Sequence, residues 1–109
     1  MKKILFICNQ NKHRSKTAED IFKQKFNTKS AGLYNTKPVT AKELSWADAV
    51  IVMEEGQRSE IAKRFPTLYL QKRILSLDIP DVYDYGDSKL IKALENKMKE
   101  NISLLRSEK

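Results

Sequence analysis

The sequence is poor in the residues that cross-link small proteins or bind transition metals. Its 109 residues include one cysteine and one histidine. A single cysteine cannot form an internal disulfide, and a thiol that stays reduced fits a cytoplasmic protein. The lone histidine, His13, has no second histidine or cysteine to join it in a zinc site. We therefore expect no metal and no cofactor.

Long apolar runs are also missing. Met1-Lys2-Lys3 leads into only four apolar residues before Cys8, and no run approaches the length of a membrane span. We therefore expect neither a signal peptide nor a membrane partner. Repeats, low-complexity segments and linkers are not evident, and a chain of this length is predicted to form one domain over residues 1–109.

Acidic residues are fewer than basic ones, 14 against 21, which gives a formal net charge of +7. Such a charge favours anionic partners, including phosphorylated proteins and nucleic acid. The lysines are scattered along the chain, and no face with interleaved basic and aromatic residues is evident. We interpret the excess charge as a solvated surface and do not expect nucleic acid as a partner.

Apolar spacing predicts alternating strands and helices. Continuous apolar runs at Ile4–Ile7 and Ala49–Met53 are typical of strands buried on both faces of a parallel sheet. The predicted strands are 3–8, 27–31, 49–53 and 72–77. The predicted helices are 15–25, 40–46 with Thr40 as N-cap, 55–65 stopped by Pro66, and an amphipathic helix after Asp87 that runs into a fraying tail at 106–109. Short connections imply right-handed crossovers, and hence a three-layer α/β fold whose four-stranded, doubly wound parallel sheet has helices on both faces.

The segment from Cys8 to Ser15, here called the phosphate loop, joins the first strand to the first helix. A loop that wraps into a helix start aims several backbone N–H groups at one point, where the helix dipole adds positive charge. A tetrahedral dianion suits such a cradle. The predicted phosphate-binding residues are Asn9, Gln10, Asn11, Lys12, His13, Arg14 and Ser15. Asn9 and Asn11 replace the glycines often found in such loops, because asparagine tolerates left-handed backbone.

Three side chains of the phosphate loop predict nucleophilic chemistry on a bound phosphate. Arg14 offers a planar fork for two phosphate oxygens at once. Cys8 lies at the strand end, where the helix dipole and Arg14 favour the nucleophilic thiolate. The Ser15 hydroxyl is placed to donate a hydrogen bond to that sulfur. Phosphate, sulfate and vanadate are the expected ligands.

Residues after other predicted strands are expected to meet Cys8 at one edge of the sheet. Gly32, Glu54 and Asp81 follow the second, third and fourth strands. Ligands in doubly wound sheets bind beyond the carboxyl ends of the strands.

The Cys-x5-Arg-Ser pattern after a first strand resembles the low-molecular-weight protein tyrosine phosphatases. Ser30-Ala31-Gly32 resembles the Ser-Ala-Gly after the second strand of that family, and residues 47–54 resemble its third strand with the acidic residue that follows. Residues 78–83 resemble the Asp-Pro-Tyr loop that carries the general acid, with Val82 in place of the proline. The likeness covers nearly the whole chain, which is shorter than a typical member and resembles a compact, divergent branch. It implies the phosphotyrosine phosphatase I fold.

The resemblance implies a metal-independent phosphoryl transfer in two steps. Cys8 attacks phosphorus, and Asp81 protonates the departing oxygen and later activates the water that hydrolyses phosphocysteine. Asp84 is the alternative acid, since the missing proline loosens the match. The expected substrate is protein phosphotyrosine, while small phosphoesters, phosphoarginine and nucleotides remain open because the variable loop residues are polar.

Further family positions imply supporting roles. Asn11 and Ser30, with Ser15, correspond to a polar network that holds the loop, and His13 stands where many members carry a second cysteine. Tyr83, with Tyr85 or Tyr34, is predicted to form a wall on which an aromatic phosphoester stacks. The alternative is that Tyr83 and Tyr85 pack under their own loop.

Three other functions compete with a phosphatase. A phosphocysteine carrier of the sugar-phosphotransferase IIB type also begins with a strand leading to a cysteine, but needs neither Arg14 nor a downstream acid. A non-catalytic phosphate-binding module fits the basic charge. A thioredoxin-coupled arsenate reductase resembles the fold and loop, yet requires further cysteines that this chain lacks.

Overall fold

The computed structural model describes residues 1–106, so residues 107–109 of the predicted tail lie outside the described part, and Arg106 ends the last helix. The strands are β1 (Lys3–Cys8), β2 (Asn27–Gly32), β3 (Ala49–Val52) and β4 (Arg73–Ser76). The helices are α1 (Arg14–Phe22), α2 (Ala41–Trp46), α3 (Glu55–Arg64), α4 (Pro66–Gln71) and α5 (Ser88–Arg106).

The four strands form one parallel sheet in the order β2-β1-β3-β4. The two predicted apolar runs are its central strands: Ile4–Ile7 and Ala49–Val52 are all at most 1% exposed. Because successive side chains in a strand point to opposite faces, both faces of these strands have to be covered by helices.

Helices cover each face and produce two apolar cores. One core joins Ile4, Phe6 and Ile51 of the sheet to α1 and α5, and contains Ala18, Phe22, Leu90, Leu94 and Met98. The opposite core joins Leu5, Ile7 and Val50 to α2, α3 and α4, and contains Leu44, Ile61 and Leu68. The predicted three-layer, doubly wound fold is confirmed. Among the helices of residues 1–106, none is both long and apolar enough to span a membrane.

Two helices begin with reciprocal caps. The predicted cap of α2 is confirmed, because the Glu43 N–H donates to Thr40 Oγ1 over 3.2 Å and the Thr40 N–H donates to Glu43 Oε1 over 2.9 Å. The start of α3 uses Gln57, whose Oε1 accepts from the Met53 N–H over 2.8 Å and the Glu54 N–H over 3.1 Å. These bonds satisfy amides that the helix start itself leaves without partners.

Helix α4 is absent from the sequence prediction. The third helix ends at Arg64, close to the expected stop, but Pro66 is the first residue of α4 and not the start of a loop. The first helical position needs no N–H donor and suits the fixed φ of proline, so the proline that ends one helix also begins the next. Helix α1 ends at Phe22, three residues before the predicted end.

The parallel arrangement brings the candidate site residues to one edge of the sheet. Cys8 ends β1 and Gly32 ends β2, while Glu54 and Asp81 follow β3 and β4. The strand order reverses around β1, which pairs with β2 on one side and β3 on the other. Such a switch point opens a crevice at the carboxyl ends of the strands.

Candidate active site

A small pocket of about 190 Å³ lies at this edge of the sheet. Its lining residues are Cys8, Gln10, Lys12, His13, Arg14 and Asp81. The structure therefore brings together the predicted nucleophile, the predicted phosphate ligand and the favoured acid. Three other residues of the phosphate loop do not line the pocket but make hydrogen bonds that hold the loop in shape: Asn9, Asn11 and Ser15.

The phosphate loop is held in shape by its two asparagines. Asn11 has φ of 55°, the left-handed conformation expected for it. The same expectation is wrong for Asn9, since the positive φ values of non-glycine residues within 1–106 belong to Asn11 and Asp78. The Asn9 carbonyl accepts from the N–H groups of Leu33 and Tyr34, which extends the β1–β2 pairing and explains the difference.

Side-chain contacts fix the loop to its neighbours and leave its amides available. Asn9 Oδ1 accepts from Nε2 of the buried Gln57 over 3.1 Å, which links the loop to α3. Within the described residues, the backbone N–H groups of 10–14 donate to no protein acceptor. These amides are the donors that a bound tetrahedral anion needs.

Cys8 and Ser15 share a buried hydrogen bond. Cys8 Sγ lies 3.0 Å from Ser15 Oγ, and Ser15 Oγ donates to Asn11 Oδ1 over 2.8 Å. A hydroxyl has one proton to donate. With the thiol form of Cys8, the S–H donates to Ser15; with the thiolate, Ser15 has to turn its proton from Asn11 to the sulfur. The Ser15 hydroxyl can therefore accept from the Cys8 thiol and donate to the Cys8 thiolate.

Arg14 is buried, with 1% of its side chain exposed, and its charge is compensated on one edge. Its Nη1 donates to the Ile79 carbonyl over 2.7 Å and lies 3.0 Å from Glu54 Oε1. These contacts orient the planar guanidinium. Nε lies 3.7 Å from Asp81 Oδ1, and Nη2 has no hydrogen-bond partner among residues 1–106. The Nε–Nη2 edge is consequently the one left for two phosphate oxygens.

The two candidate acids occupy different positions. Asp81 lines the pocket, 3.7 Å from Arg14, with 57% of its side chain exposed. Asp84 is exposed and does not line the pocket, and its carbonyl accepts from the Asp87 N–H in a turn over 3.1 Å. This geometry favours Asp81.

Other residues predicted for the site lie elsewhere. Ser30 Oγ donates to Glu19 Oε1 of α1 over 2.5 Å, and within residues 1–106 no hydrogen bond joins Ser30 to Asn11. Tyr83 packs against the core, and Tyr34 lies beneath the Arg64 guanidinium, 5.1 Å from Cζ to the ring centre. Neither tyrosine lines the pocket, so the predicted aromatic wall is not formed there.

Several contacts were not predicted from the sequence. The Tyr85 N–H donates to His13 Nδ1 over 3.0 Å, and the Gly86 N–H donates to Oγ1 of the buried Thr17 over 3.0 Å. The Tyr85 hydroxyl donates to the Asp20 carboxylate. Contacts between segments so distant in sequence leave no local signal. The contact between Glu54 and Arg14 was also not predicted, and the only sequence signal for it was the position of Glu54 directly after a predicted strand.

The Tyr85–Asp20 contact predicts a shifted titration. The hydrogen bond to Asp20, together with repulsion between its carboxylate and the phenolate, raises the pKa of Tyr85 above its ordinary value of about 10. Asp20→Asn should lower it again, because the neutral amide repels no phenolate. The measurement is ultraviolet absorbance of tyrosinate across the alkaline range, with Tyr85→Phe subtracted to isolate this residue from the other three tyrosines. An unchanged curve in Asp20→Asn would contradict the assignment.

The sequence and the structure were compared with those of known proteins. No family model matches the sequence, and no curated protein matches it. The YwlE arginine phosphatase from Geobacillus stearothermophilus is 18% identical with a TM-score of 0.71, over 100% of this chain and 99% of that one. SP-PTP, a low molecular weight protein tyrosine phosphatase from Streptococcus pyogenes, is 17% identical with a TM-score of 0.79, over 99% and 95%. The tyrosine phosphatase Wzb from Escherichia coli K30, in complex with phosphate, is 20% identical with a TM-score of 0.75, over 95% and 98%. The resemblance stated from the sequence motifs is thus confirmed at the level of structure, and the chain has the fold of the low-molecular-weight protein tyrosine phosphatases.

Proposed function

We propose that the chain is a cysteine-dependent phosphatase that hydrolyses phosphomonoesters through a phosphocysteine on Cys8. The observation that carries the proposal is the meeting of Cys8, Arg14 and Asp81 in one small pocket, with Ser15 Oγ 3.0 Å from the sulfur. A cytoplasmic location suits a mechanism that needs a reduced thiol.

The first step transfers the phosphoryl group to sulfur. The Cys8 thiolate attacks phosphorus as the bond from phosphorus to the leaving oxygen breaks, and Asp81 gives its proton to that oxygen. The free amides of residues 10–14 and the Nε–Nη2 edge of Arg14 hold the three remaining oxygens.

The second step releases phosphate. Asp81, now a carboxylate, takes a proton from water as the water oxygen attacks phosphorus and the sulfur–phosphorus bond breaks. The Ser15 hydroxyl stabilises the departing thiolate. Both steps balance without a metal, and the cycle ends with Asp81 protonated and Cys8 as thiolate.

The acid separates this proposal from a phosphocysteine carrier. A carrier has to pass its phosphoryl group to another acceptor, and a carboxylate able to activate water works against that. Asp81 lines the pocket 3.7 Å from Nε of Arg14, the proposed phosphate ligand, and this position favours hydrolysis.

Within phosphomonoesters we propose protein phosphotyrosine as the substrate. The fold resembles that of tyrosine phosphatases and of an arginine phosphatase, so the leaving group has to be argued from the pocket. Lys12 lines it, is exposed, and has no carboxylate within 4.0 Å among residues 1–106. Its ammonium repels the cationic guanidinium of phosphoarginine and leaves a neutral phenol unaffected.

The nucleophile is tested by releasing phosphate from para-nitrophenyl phosphate without metal. Wild type should turn over, whereas Cys8→Ser should fall to background while it still binds vanadate, because the cradle remains. Vanadate binding is measured by calorimetry. Full activity in the variant would exclude the covalent mechanism.

The acid is tested with leaving groups of different basicity. Asp81→Asn should lower kcat/KM for phenyl phosphate by roughly a hundredfold or more, with a much smaller loss for para-nitrophenyl phosphate, whose phenolate leaves without a proton. Asp84→Asn is the matched control on the same loop. The assignment is wrong if Asp84→Asn produces this pattern and Asp81→Asn does not.

The substrate assignment is tested with one peptide made in two forms, phosphorylated on tyrosine or on arginine. Wild type should prefer the phosphotyrosine form in kcat/KM, and Lys12→Gln should reduce that preference by roughly twofold to fivefold, as expected for an exposed charge. Lys16→Gln, which removes a lysine outside the pocket, is the control. A wild-type preference for the phosphoarginine form would reverse the assignment.

A further inference from the structure

The segment that carries Asp81 is attached at two points to the phosphate loop and the helix that follows it. We call residues 78–87 the acid loop. On one side of Asp81, the Ile79 carbonyl accepts from Arg14 Nη1 over 2.7 Å, and the Ile79 N–H donates to the Met53 carbonyl over 2.8 Å. On the other side, the N–H groups of Tyr85 and Gly86 donate to His13 and Thr17. Residues 80–84 span the distance between these attachments.

His13 has an unusual position in this arrangement. It is the residue before α1, where a side chain often caps the helix, but its imidazole makes no capping bond. Instead Nδ1 accepts the Tyr85 N–H, while the same residue lines the pocket with Asp81. The imidazole therefore contacts both the place of reaction and the segment that brings the acid there.

We propose that His13 is a positioning residue, whose unprotonated Nδ1 holds the acid loop so that Asp81 stays at the pocket. The inference rests on the proposed phosphatase function. An imidazole accepts a hydrogen bond only at an unprotonated nitrogen, and the imidazolium ion has none. Protonation of His13 therefore breaks the backbone hydrogen bond of Tyr85, and leaves the bonds from the Tyr85 hydroxyl to Asp20 and from the Gly86 N–H to Thr17.

The charged groups around His13 define what else titrates nearby. Cys8, Lys12 and Arg14 of the phosphate loop and Asp81 of the acid loop line the same pocket. On the opposite side, Asp20 of α1 accepts from the Tyr85 hydroxyl. Any pH experiment has to separate His13 from these groups, and a substitution at His13 itself does so.

The chain allows a matched pair of substitutions. His13→Asn keeps an acceptor, since the amide Oδ1 lies about where Nδ1 does, and His13→Leu keeps similar bulk without an acceptor. The helical backbone of residue 13, with φ −117° and ψ −70°, does not suit capping, which uses an extended conformation, so asparagine gains no new role there.

The experiment compares kcat/KM for phenyl phosphate with kcat/KM for para-nitrophenyl phosphate at neutral pH. His13→Leu should lower this ratio by roughly twofold to tenfold, the value of one hydrogen bond, because only the poor leaving group needs the acid. His13→Asn should keep the wild-type ratio. Equal ratios in wild type and His13→Leu would overturn the proposal, and so would equal losses in both variants.

Acidification provides a second test of the proposal, which does not require the His13→Leu variant to fold. Once acid protonates the imidazole, the wild-type ratio should fall relative to the ratio of His13→Asn at the same pH, because the asparagine oxygen still accepts the hydrogen bond. Parallel pH profiles for the two proteins would overturn the proposal.

Amide hydrogen exchange at Tyr85 separates this inference from the proposed function. The Tyr85 amide should exchange slowly in wild type and His13→Asn, and several times faster in His13→Leu. If no protein hydrolyses either ester but exchange follows this pattern, the phosphatase proposal fails and the attachment by His13 stands. If His13→Leu is active and its Tyr85 amide exchanges at the wild-type rate, the positioning role of His13 is excluded and the phosphatase proposal stands.

Discussion

The buried guanidinium of Arg14 is the group on which the rest of the site depends. A charge removed from water has to be paired, and this one is paired by segments that follow different strands. Glu54 comes from the end of β3, while the Ile79 carbonyl and the Asp81 carboxylate come from the chain after β4. Arg14 itself starts α1 directly after the loop from β1. In the proposed mechanism this side chain couples phosphate binding to the position of the acid, because Arg14 offers its free edge to phosphate and also contacts the segment that carries Asp81.

Much of this arrangement could be predicted from the sequence, because its causes are local. The runs at Ile4–Ile7 and Ala49–Met53 indicated central parallel strands, and these in turn indicated that residues after the strands share one edge. The spacing of Cys8, Arg14 and Ser15 indicated an anion-binding loop between the first strand and the first helix. Thr40 and Glu43 marked a helix start through chemistry confined to four residues.

The errors share a physical origin in contacts between distant segments. Ser30 was assigned to the loop, but its hydroxyl faces α1 and pairs with Glu19. Tyr34 and Tyr83 were assigned to the cleft, but a guanidinium and the apolar core hold them elsewhere. Pro66 is ambiguous in a sequence, since a proline stops a helix from one side and starts one from the other. Likewise, the contact between His13 and Tyr85 spans 72 positions and follows no periodic pattern.

The position of the single cysteine has a consequence for oxidative damage. A thiolate accessible from a pocket reacts with peroxide to form a sulfenic acid, and a neighbouring thiol can trap that species as a disulfide that reductants reverse. Cys8 has no such neighbour within this chain, and His13 stands at the loop position where many members of the resembled family carry the second sulfur. Oxidised Cys8 therefore depends on an external thiol for rescue, or proceeds to the sulfinic acid, which thiols do not reduce.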